Sequence, residues 1–64
     1  MKIKLEFPDD NFKCPPIEME AVPRAGEFIV FSDHEFPIER VVYEVGKYDY
    51  TIRLDLGQAQ ELLP

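Results

Sequence analysis

One cysteine, one histidine, three glycines and no tryptophan leave this chain short of the residue types that usually announce a specialised site. A single thiol, Cys14, cannot form an internal disulfide, so covalent stapling is excluded and a reducing, cytoplasmic setting is expected. One cysteine and one histidine match no standard zinc spacing, and three glycines are too few for a phosphate-cradling loop. Cations are scarce as well. Seven Lys and Arg face thirteen Asp and Glu, a formal charge of −6, which repels phosphate backbones and anionic lipid, so neither nucleic acid nor membrane is expected as a ligand. No charged start leads into a long apolar run, so no signal peptide or membrane span is read. An apolar stripe at helical spacing is nearly missing too, and that absence points to strands.

What the chain does have is core material. Its 64 residues are 45% hydrophobic, with five Phe and three Tyr, too rich in large apolar groups for a disordered segment. This length allows one domain, residues 1–64, which buries only about 60% of the surface of its unfolded chain. With no disulfide or metal to support so small a core, association into a homo-oligomer is a natural expectation.

Alternation of period two runs through most of the sequence. In KIKLEF, residues 2–7, Ile3, Leu5 and Phe7 share one face. PDDNFKCPP is a loop, because its prolines remove backbone donors and its Asp and Asn residues favour turns. IEMEA, residues 17–21, resumes the alternation as an edge strand. VPRAG then turns the chain at Pro23 and Gly26, and EFIVF, the most hydrophobic run, is expected to be the most buried strand. SDHEFP, residues 32–37, reads as a polar connector. IERVVYEV is a long strand whose apolar residues switch faces between Ile38 and Val41, the mark of a bend or bulge. GKYD is a hairpin connection, and YTIRLDL closes the sheet with Tyr50, Ile52, Leu54 and Leu56 on one side. GQAQELLP is composed of helix formers, and Leu62 and Leu63 are expected to cap an open end or to meet a neighbouring subunit.

Five short strands are too few for a two-sheet sandwich, whereas one curled sheet buries a face and reduces exposed edges. The expected fold is therefore all-β: a small five-stranded barrel with a short C-terminal helical turn. Over residues 21–56, the Pro23–Gly26 turn, the following strand, the valine-rich long strand, the hairpin and the final strand resemble small SH3-like β-barrel proteins of bacteria and their phages. The resemblance implies an SH3-like fold and an adaptor or accessory role, and it brings no catalytic residues.

Candidate chemistry is thin. Asp33, His34 and Glu35 are adjacent, but neighbouring side chains in an extended segment point to opposite faces, so a solvated turn is expected rather than a metal site. Lys13 beside Cys14 would lower the thiol pKa, yet no positioned base accompanies it. The paired carboxylates Asp9/Asp10 and Glu18/Glu20 have little room for a substrate pocket in so short a chain. No enzymatic activity and no cofactor are expected. The aromatic residues carry more: Phe36, Tyr43, Tyr48 and Tyr50 gather near two connecting turns, and tyrosine suits binding surfaces. Tyr43 and Tyr50 either pair on an outer face, with Tyr48 at the tip, or belong to the core and leave Tyr48 alone outside. The leading expectation is a non-catalytic protein-interaction or adaptor module, self-association included. The alternative is an acidic inhibitor that mimics nucleic acid and meets a basic protein surface through Glu6, Asp9, Asp10, Glu18 and Glu20.

Overall fold

A computed structural model describes residues 1–61. Its strands are β1 (Lys2–Glu6), β2 (Ile17–Glu18), β3 (Phe28–Phe31), β4 (His34–Val45), β5 (Tyr50–Leu56) and β6 (Gln60–Glu61). They form one curled sheet in the order β2-β1-β5-β4-β3, with β6 pairing β4 in line with β5. The chain is all-β, and the sheet is a half-barrel whose outer strands, β2 and β3, are not joined to each other.

The alternation read in the sequence positions β1 and β5. They pair in parallel, Ile3 with Ile52 and Leu5 with Leu54, so the two apolar rows meet on the concave side. The core is Ile3, Leu5, Phe36, Ile38, Ile52, Leu54 and Leu56. Loop residues Phe7 and Phe12 close one end: each packs edge-on against Phe36, with ring centroids 5.0 and 5.1 Å apart. Asn11 N–H donates to Asp9 Oδ1 at 2.7 Å and holds the loop's turn.

The Pro23–Gly26 turn forms as expected. Gly26 has φ of +94°, the Glu27 N–H donates to the Arg24 carbonyl at 3.1 Å, and the Arg24 N–H donates to Glu27 Oε1 at 2.7 Å. The bulge is also present, since the β4–β5 register shifts between Ile38 and Arg40 and leaves Glu39 as the extra residue. GKYD closes the β4–β5 hairpin, with the Gly46 N–H donating to the Asp49 carbonyl at 2.7 Å.

Four expectations need correction. The strand expected over residues 17–21 forms only at Ile17–Glu18. EFIVF is not the most buried strand. β3 is an edge in which Ile29 and Phe31 face inward while Phe28 and Val30 stay exposed, because no described element covers its convex face. SDHEFP is not a connector. Ser32 and Asp33, at φ 52° and 63°, make a two-residue hairpin turn between Phe31 and His34, and His34–Pro37 already belong to β4. The helical turn expected over GQAQELLP is replaced, among the described residues, by β6, whose Glu61 and Gln60 pair with His34 and Glu35; Leu62 and Leu63 lie outside the described residues. About eight residues are too few to nucleate a stable helix in water, and an unpaired stretch of β4 offered ladder bonds instead.

Pro37 is tolerated inside β4 for a reason visible in the ladder. The Ile38 N–H donates to the Glu27 carbonyl at 2.8 Å, so Pro37 turns its nitrogen the other way, towards residues 57–59, where the neighbouring chain leaves the sheet. Gly57 fits there because a Cβ would come within 3.0 Å of the Pro37 ring.

Candidate functional site: the projecting hairpin

The register of β4 against β5 sorts the hairpin into two faces. Val41 lies opposite Leu54, Tyr43 opposite Ile52 and Val45 opposite Tyr50, so these six share the concave face. Arg40, Val42, Glu44, Thr51, Arg53 and Asp55 share the convex one. The concave row begins in the core at Leu54 and Ile52 and then outruns its cover, because β1 pairs with β5 only from Ile52 to Asp55 and β3 meets β4 only from His34 to Pro37. Beyond those limits Tyr43 is 55%, Val45 80%, Tyr48 91% and Tyr50 58% exposed.

The result is an arm. The molecule measures 45 × 22 × 18 Å, and its radius of gyration is 12.2 Å, against about 10.7 Å for a compact chain of this length. A shallow depression of about 480 Å³ on the arm is lined by Tyr43, Val45, Tyr48 and Tyr50 together with Gly46, Lys47 and Asp49 of the turn. Tyr43 also borders a second depression of about 360 Å³, formed with Val41 and the Val22–Ala25 segment. An apolar track thus runs from the VPRA turn to the hairpin tip, where the Lys47 ammonium lies 5.5 Å from the Tyr48 ring centre.

Of the four aromatic residues singled out in the sequence, three meet here. Phe36 does not: it is fully buried at the centre of the aromatic cluster, because the turn at Ser32–Asp33 sets its strand position inward opposite Ile29. Neither reading of Tyr43 and Tyr50 holds unchanged. They lie on the core-facing side, as diagonal neighbours, and still remain exposed because the covering strands stop short. Val45 was missed, although its two-residue spacing from Tyr43 was the available signal.

The convex face carries ions of both signs. Arg40 Nη2 and Nε donate to Asp55 Oδ2 at 2.7 and 3.0 Å, Arg53 Nε to Asp55 Oδ1 at 2.7 Å, and Arg53 Nη1 to Glu44 Oε1 at 2.6 Å. The Arg53 hydrogen bond, helped by that from Arg40, holds the Asp55 carboxyl below the usual carboxylate range. Glu6 and Glu18 share this face with Lys2, Lys4 and Arg53. Glu18 also accepts from the Met1 ammonium at 2.9 Å, a bond that lowers its pKa. Asp9 and Asp10 sit on the loop, and Glu20 is exposed beside β2. The acidic candidates therefore do not form a surface of one sign.

His34 packs edge-on against Phe12 at 5.1 Å, and its Nδ1 lies 2.7 Å from the Ser32 carbonyl. Among the described residues no group of three His, Cys, Asp or Glu side chains is placed to hold a metal. Burial pushes the Cys14 thiol above its ordinary value, the reverse of the activation that Lys13 would have provided. Comparison with known protein families, curated proteins and solved structures finds no match.

Proposed function

We propose that this chain is a non-catalytic protein-interaction module, acting in the cytoplasm, whose binding element is the projecting β4–β5 hairpin. One observation carries the reading: the apolar row of the core continues onto an arm that stays exposed among the described residues. Apolar faces of this kind on small soluble domains mark interaction sites, and exposed tyrosines are frequent anchors of binding energy. Among the described residues, the edge of β4 beyond Ile38 also lacks a partner strand, so an extended segment is the form of chain that fits beside it. The SH3-like assignment belongs to the same proposal and is supported by the sequence of turn, strand, bent long strand, hairpin and final strand over residues 21–56. The acidic-mimic alternative draws no comparable support, because Glu6 and Glu18 are interleaved with cations.

Affinity capture from the protein's own cells tests the reading. Tyr48→Ala and Tyr43→Ala are expected to lower recovery of bound chains by about tenfold or more, while the melting temperature stays close to that of the parent because both side chains are exposed. Full recovery with both variants would overturn it.

A further inference from the structure

The arm's open edge has a parity, and the parity has a partner. The Gly46–Asp49 bond makes that pair hydrogen-bonded within the hairpin. Alternation of an antiparallel ladder then leaves Val41, Tyr43 and Val45 with their N–H and C=O groups directed away from β5. Past Ile38 no described strand pairs with that side of β4.

We infer that this edge docks against the same edge of a second copy of the chain, antiparallel, about a two-fold axis through Val42. The inference rests on the hairpin being the binding element and adds the identity of its occupant. In this register Val41 and the partner's Tyr43 exchange ladder hydrogen bonds, and by symmetry so do Tyr43 and the partner's Val41. On the convex face Val42 meets the partner's Val42, and Arg40 stands opposite the partner's Glu44 twice over.

Charge selects the register. An axis at Tyr43 would set Arg40 against the partner's Gly46 and Glu44 against the partner's Val42. An axis at Val41 would set Tyr43 against the partner's Glu39. Among these neighbouring registers, only the Val42 axis sets opposite charges of β4 itself, whose last residue is Val45, against each other in both directions, and opposed charges across strands stabilise pairing while like charges oppose it. The ions are ready for it: Arg40 uses Nε and Nη2, and Glu44 uses Oε1, in the bonds described, leaving Nη1 and Oε2 to cross the junction. The chain Arg53–Glu44 would then run on into the partner's Arg40–Asp55. A two-fold contact of this kind is self-complementary and closes after two copies.

Sedimentation equilibrium on the full chain over a range of concentrations provides the test. The parent chain is expected to form a dimer. Arg40→Glu and Glu44→Arg alone are each expected to weaken it by about tenfold or more, and an equimolar mixture of the two variants, which restores opposite charges at both crossings, is expected to recover a heterodimer. Melting curves verify that each variant is folded. A parent chain that stays monomeric overturns the inference; if Tyr48→Ala still abolishes capture of other proteins, the interaction-module reading survives it. A dimer indifferent to both charge changes, or a mixture that fails to recover, overturns the Val42 register.

Discussion

At the scale of single residues, Asp55 joins two arginines from two strands, and the fold alters its titration. Its carboxyl is held low chiefly by the hydrogen bond from Arg53, with Arg40 adding to it. A carboxyl whose pKa is lower in the folded chain than in the unfolded one contributes stability that is present above about pH 4 and is lost as pH falls through the depressed folded value. Asp55→Asn should therefore flatten the acid limb: between neutral pH and pH 2 the variant's melting temperature should fall less than the parent's. Parallel curves would remove Asp55 from the account of acid sensitivity. Phe36 shows a limit of residue-by-residue reading. Its neighbours in sequence are a glutamate and a proline, so it looked like a surface aromatic, and only the two-residue turn before it fixes its side chain inward.

At the scale of elements, the local punctuation was legible and the global cover was not. Pro23 and Gly26, Gly46 and Asp49, and the face switch after Ile38 each act within a few residues, and each produced the expected turn or bulge. Which faces would be covered depends on strands distant in sequence. EFIVF was therefore mistaken for a buried strand, and GQAQELLP, a good helix by composition, yielded Gln60 and Glu61 to the edge of β4. The hairpin arm was half visible: its tyrosines stood out, but their exposure follows from where β1 and β3 stop. The Ser32–Asp33 turn offers a test of local chemistry. Both residues sit at positive φ in a two-residue hairpin loop, a geometry that Asn-Gly satisfies with less strain. The double change Ser32→Asn, Asp33→Gly should raise stability by roughly 0.5–1 kcal/mol in urea melts; a loss would show that relief of backbone strain at these two positions does not limit stability.

At the scale of the whole molecule, a net charge of −6 and an uncovered apolar arm act in opposite senses on association. Two such bodies repel at low salt. Salt screens that repulsion and equally weakens the exposed ion pairs at the junction, whereas apolar burial is little affected. Binding through the arm should accordingly change by less than about threefold between 0.05 and 0.5 M NaCl. An acidic surface occupying a basic groove would instead lose affinity steeply over the same range, so a titration at the two salt concentrations separates the two modes of binding.

The twelve residues of β4 are at once a wall of the interior and the free arm. A load taken up at Tyr43 or Val45 is therefore delivered through covalent backbone to Phe36, without crossing any surface that could slip. Glu39, where the ladder gains a residue, is the natural elbow of this lever. Engagement of the tip should be felt as a change in ring environment at the far end of the molecule.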